Sequence, residues 1–155
     1  MKRLQINKQI LQDELNVELI GAIDEDADFK ELMGLEQKTI SFDFNQVNMI
    51  NSCGIREWIK FLEKIPEATH VIYNNCPQII IEQINMVHGF FRKGASINSF
   101  YAPYFCENCD KENKVHLMAD QVKNRKAPKM ECPKCGEAMD FDAIEAQYFS
   151  FLGKV

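Results

Sequence analysis

Two short repeats, Cys106-x-x-Cys109 and Cys132-x-x-Cys135, constrain this chain more than any other feature. Each tight turn presents two sulfurs together, and the 22 residues between the pairs suit two short strands and a loop. "ECPKCGEAM" adds the Pro and Gly that favour such a turn. Four converging thiolates leave no open position for water or substrate, so the expected ion is structural rather than catalytic. Zn2+ is the expected cofactor, with an iron–sulfur centre or a redox dithiol as the other uses of such a set. His116 is an alternative ligand, but with four cysteines present it reads as an ordinary strand residue. Segment 105–155 is too short for a large core, and a metal would take the place of one.

Metal is favoured over disulfides because nothing resembles an export signal. The opening "MKRLQINKQILQDELNVELI" alternates apolar with polar residues, and no stretch nears the roughly 18 apolar residues of a membrane span. The expectation is a cytoplasmic protein without membrane insertion. A net charge of -5 argues against charge-driven nucleic-acid binding by the whole chain. "KNRKAPK" is a local exception, with Lys123, Arg125, Lys126 and Lys129 as candidate nucleic-acid contacts. Acidic residues surround it, and it reads first as a solvated loop tip.

Upstream, strand and helix signals alternate. "NVELIGAID" (16–24) and "KTISFDFNQV" (38–47) have the period of two expected of strands, with a short helix expected around Phe29 to Leu35. From Ile55 the period changes: Ile55, Trp58, Ile59, Leu62 and Ile65 make a helical stripe that Pro66 closes. "THVIYNNC" (69–76) is a further strand. Pro77 opens a helix whose Ile80, Ile84, Val87 and Phe91 share a face, and Gly94 stops it. "ASINSFYAPYF" returns to strand and leads into the first cysteine pair. The class is α/β, a sheet with helices packed on it, over residues 1–104; residues 105–155 form a small zinc-ribbon appendage ending in an amphipathic segment. "AIEAQYFSFL" is expected to pack back on the sheet. "FYAPYF" should pack on the ribbon or on a second copy, which makes a homodimer one expectation.

Strand passes to helix at "INSCGIREW", with Cys53 at the junction. Asn51 or Ser52 can cap the helix, Gly54 permits close backbone approach, and a thiol here faces the positive helix end. A catalytic or redox-sensing Cys53 would need a base, for which His70 and His88 are the candidates. "ELIGAID" and "ISFDFNQVNMINSCGIREWIKFL" together resemble the STAS domain of sulphate transporters and bacterial anti-sigma-factor antagonists. The resemblance spans about Arg3 to Tyr101 and implies a small mixed sheet with helices on one face. It also implies an Asp-Ser-Ser-Gly motif whose second serine is phosphorylated by a partner kinase. Its positions fall on Asn51, Ser52, Cys53 and Gly54, so the acceptor serine is replaced by cysteine and the aspartate by asparagine. Ser52 is the substitute acceptor the motif leaves. The expected function is a non-enzymatic adaptor binding a kinase, an ATPase or another regulatory protein. Arg56, Glu57 and Lys60 on the polar side of the helix would be the contacts. The resemblance also brings nucleotides or lipids as ligands of some members, though this chain has no glycine-rich phosphate loop.

Overall fold

The computed structural model describes residues 3–34 and 36–153. β1 (Gln5–Leu11) and β2 (Glu14–Ile23) form an antiparallel hairpin, and β2 then pairs in parallel with β3 (Thr39–Ile50). β4 (His70–Asn74) and β5 (Ser96–Ile97) extend the parallel part, so spatial order repeats chain order from β1 to β5. The chain is therefore mixed α/β with a mixed five-stranded sheet.

Alternation decides the two faces of that sheet. Leu15, Val17 and Leu19 of β2, Ile40, Phe42 and Phe44 of β3, and Val71 and Tyr73 of β4 are buried on one face. α1 (Ser52–Lys64) covers that face with Trp58, Phe61 and Leu62, each contributing about 1.5–3 kcal/mol by leaving water. Trp58 meets Phe42 edge-on with centroids 4.9 Å apart. Its Nε1 donates to the Tyr73 hydroxyl at 2.9 Å and to the Phe90 carbonyl at 3.2 Å. The Tyr73 hydroxyl donates to the same carbonyl at 2.6 Å, so the polar atoms of this aromatic core satisfy one another. Arg92 closes the far end of α1, donating to the carbonyls of Ile65 at 2.8 Å and Pro66 at 2.9 Å, and to that of Thr69.

Three local expectations change. The helix expected at Phe29 to Leu35 is a single 3-10 turn, Lys30–Leu32, with Leu35 outside the described residues. The Asp28 carboxylate accepts from the Lys30 amide at 2.9 Å, a local turn that competes with helix, and Gly34 follows at φ 73°. Phe29 stacks on Phe61 at 5.0 Å instead. The helix after Pro77, α2 (Gln78–Met86), stops before Val87, which is extended; Gly89 takes φ 90°, so Phe91 is placed by the following turn and packs on Tyr73. The last long strand breaks at Asn98. β5 stays with β4, while β6 (Ser99–Cys106) departs to a second sheet.

That second sheet has the order β7-β6-β8, with β7 (Lys111–Met118) and β8 (Asp140–Phe141) antiparallel to β6. β6 runs without interruption across residues 104 and 105. α3 (Glu145–Tyr148) and the 3-10 turn Phe149–Gly153 then fold back between α2 and β6. Phe149 and Phe151 are fully buried and meet Phe100 at 6.0 and 5.0 Å. The Tyr148 hydroxyl donates to the Tyr101 carbonyl at 2.6 Å, and Asn85 of α2 donates to the Tyr148 carbonyl at 3.0 Å.

Candidate metal centre and helix-start surface

Cys106 ends β6, and Cys109 lies in the turn before β7. Cys132 and Cys135 lie on a turn closed by Gly136, whose amide donates to the Cys132 carbonyl at 2.8 Å with φ 80°. The Cys132 amide in turn donates to the Glu137 carbonyl at 2.7 Å. These turns bring all four sulfurs within 4.8 Å of one another. Cys106 and Cys135 are 3.5 Å apart at sulfur, and Cys109 and Cys132 are 3.9 Å apart. A tetrahedral ion with bonds of about 2.3 Å spaces its sulfurs about 3.8 Å apart, whereas a disulfide would need about 2.0 Å. The residues fit a structural metal, and all four thiols are free.

Electrostatics agree. Amide donors from Cys135 and Lys134 hold the Cys132 thiol below its ordinary value. The Asn108 side chain and the Glu137 amide hold Cys135 at about 6. The hydrogen bond to Cys135, followed by burial, pushes Cys109 up to about 12. Four such thiols cannot all ionise unaided, and a cation in their midst removes that obstacle. His116 is not in the set: its Nε2 lies 2.8 Å from Asn75 Oδ1, and its ring lies against Tyr101.

At the other candidate site the helix start is built tightly. Asn51 is the N-cap of α1, and its Oδ1 accepts from the Gly54 amide at 2.9 Å. Its Nδ2 donates to Glu25 Oε2 at 2.9 Å, and this bond lowers the Glu25 pKa. An aspartate at 51 would cap equally well but would set a second carboxylate against Glu25, so the asparagine has a local reason. Sequence patterning gave no sign of Glu25, because the contact joins β2 to α1 across 26 positions. A Cβ on Gly54 would overlap the Ile23 carbonyl, so helix and strand approach only because that position is bare.

Cys53 is half-buried and makes no hydrogen bond among the described residues. Neither histidine hydrogen-bonds it among the described residues: His70 Nε2 pairs with Ser96 Oγ at 2.8 Å, and His88 is exposed. Ser52, Arg56 and Lys60 are exposed along one side of α1, with Glu57 half-buried beside them. Lys60 and Glu57 are 3.7 Å apart, an exposed pair that adds little to stability. Lys123, Arg125, Lys126 and Lys129 are all exposed and in no ion pair among the described residues. Their loop is nonetheless anchored. Lys123 and Lys126 pair across a tight turn with Asn124 and Arg125 at φ 54° and 56°, and Tyr104 donates to the Pro128 carbonyl at 2.6 Å.

No helix of the described residues is long and apolar enough to cross a membrane. No protein-family model matches this chain, and no curated protein matches its sequence.

Proposed function

We propose that this chain is a non-catalytic regulatory adaptor: a STAS-like sheet whose helix-start surface docks a partner protein, stiffened by a structural zinc in the ribbon. The observation that carries the reading is the first half of α1. Ser52, Arg56 and Lys60 form an exposed stripe at i, i+4 and i+8, beside a Cys53 that no base attends. Strand order, the capped junction and the bare Gly54 support the likeness to STAS domains. With cysteine in the acceptor position, docking would not follow the usual serine phosphorylation, and the partner would be a regulatory ATPase, a kinase or another protein of that class. For the metal, an all-thiolate closed set favours Zn2+, and elemental analysis of replete protein should find about one zinc per chain.

Affinity capture from native extract tests the docking surface, with nuclease treatment and three baits: wild type, Cys53→Glu, and Arg56→Ala with Lys60→Ala. A protein held by wild type and lost by both variants supports the interface. Equal capture by all three removes α1 from the model and transfers attention to the Lys123–Lys126 turn, whose binding to nucleic acid would fall steeply with salt.

A further inference from the structure

The sheet face turned away from α1 and α2 is polar across four strands. Register places Asn7, Glu18, Asp43 and Asn74 side by side in one row from β1 to β4. Gln9, Asn16 and Ser41 form the neighbouring row. A cavity of about 390 Å3 lies over both rows, with Asn75 and Ser99 closing one end.

Glu18 and Asp43 are direct partners on adjacent strands, about 4.8 Å apart along the sheet, where like charges destabilise the pairing. No cation among the described residues pairs with them. Lys8 lines the cavity, but its ammonium donates to the Glu31 carbonyl at 3.0 Å. Neither carboxylate is in an ion pair among the described residues. Amide donors meet them only in part. Asn7 donates to Glu18 Oε1 at 3.2 Å, and Gln46 reaches Oε2 only at 3.5 Å. Asp43 Oδ1 accepts from the Asn45 amide at 2.9 Å and from Asn75 at 3.1 Å, while its Oδ2 accepts from none of the described residues. The side-chain amides of Gln9, Asn16 and Asn74 also have no partner among the described residues. Asn75 is held firmly: it is left-handed at φ 53°, and its Oδ1 accepts from Ser99 at 3.1 Å and pairs with His116 at 2.8 Å. The wall that aims Asp43 is therefore pre-organised.

We infer that this cleft binds a small cationic polyol, a protonated amine flanked by hydroxyls, which is the chemistry of an amino sugar. The amine would lie between Glu18 and Asp43 and relieve their repulsion. The hydroxyls would exchange hydrogen bonds with the free amides, each of which both donates and accepts. The carboxylates exclude phosphate-bearing ligands. A plain alkyl polyamine would waste the amides, and Val17, the one apolar residue in the lining, is buried on the α1 face and does not receive its chain.

Calorimetric titration of the full, metal-replete chain tests this with D-glucosamine as the probe and D-glucose, N-acetylglucosamine, spermidine and calcium chloride as comparators. Glucosamine should bind with a Kd of about 1 mM or tighter. It should exceed glucose and N-acetylglucosamine by about ten-fold, the worth of one charge-assisted hydrogen bond. Glu18→Gln with Asp43→Asn keeps the shape and should erase that margin while Trp58 fluorescence stays unchanged. Asn74→Ala should weaken glucosamine without restoring binding of glucose. The inference is overturned by no glucosamine binding, by equal binding of glucose, by a preference for spermidine, or by calcium binding in its place.

Discussion

The two halves of this molecule are held together by different physics. The five-stranded sheet with α1 and α2 is stabilised by a dense aromatic interior around Trp58, Phe42 and Tyr73. Beyond Cys106 the rings of Phe141, Tyr148, Phe149 and Phe151 gather at the C-terminal end, while the turns at the other end converge on four sulfurs. Where a chain can bury large rings, stability is spread over many contacts and falls gradually with damage. Where turns hang instead on one cluster of sulfurs, that cluster carries them and failure is abrupt.

Metal removal should give the largest effect. Chelation, or Cys106→Ser with Cys132→Ser, forfeits a binding free energy on the order of 10 kcal/mol and should open the ribbon to protease at Lys111 to Lys134. Trp58, the single tryptophan, lies in the other half and should keep its emission. A shift in that emission on chelation would mean that the halves unfold as one. Trp58→Ala should do the converse, costing about 3–5 kcal/mol in urea denaturation while the metal stays bound. Gly54→Ala comes next at about 3 kcal/mol, because the added methyl forces α1 from β2; denaturation followed by circular dichroism measures it.

Acid sharpens the contrast further. Cys135 is held at about 6, so it contributes stability above the ordinary thiol value that is lost as pH falls through about 6, and Cys132, also lowered, acts in the same sense. Cys109, raised to about 12, acts in the opposite sense without metal, and a bound cation overrides it. A metal held by the four sulfurs should therefore be retained at neutral pH and released below about 6, followed with a chromogenic chelator, before the Trp58 core responds. Smallest is Asn51→Ala, at about 1 kcal/mol for the lost cap, read from the thermal midpoint.

Periodicity was a good guide where one element meets solvent on one side and core on the other. β3 and α1 both declare themselves this way, and α1 begins within a few residues of the change of period at Ile55. Spacing was enough for the four cysteines, because each C-x-x-C is a local turn. The misses were tertiary. α2 stops at Met86 although its apolar spacing continues to Phe91, since Gly89 takes a left-handed turn that delivers Phe90 to Trp58. Glu25, Asn75 and Arg92 act through partners that are distant in sequence, which leaves no periodic trace. The polar row from Asn7 to Asn74 was likewise invisible: each strand shows only ordinary alternation, and the juxtaposition exists only in register.

Because the strands of the first sheet lie in the order in which they are made, each can join the edge left by its predecessor during synthesis. No strand waits for a later one to be inserted between it and its neighbour. β6 is the exception in kind: its first residues still bridge Cys76 just after β4, but it passes into the second sheet and ends on a sulfur whose partners, Cys132 and Cys135, emerge from the ribosome more than twenty residues later. Capture of a metal ion would thus be a late, diffusion-fed event on an already assembled platform, and cells short of that metal would accumulate a half-finished product rather than an unfolded one.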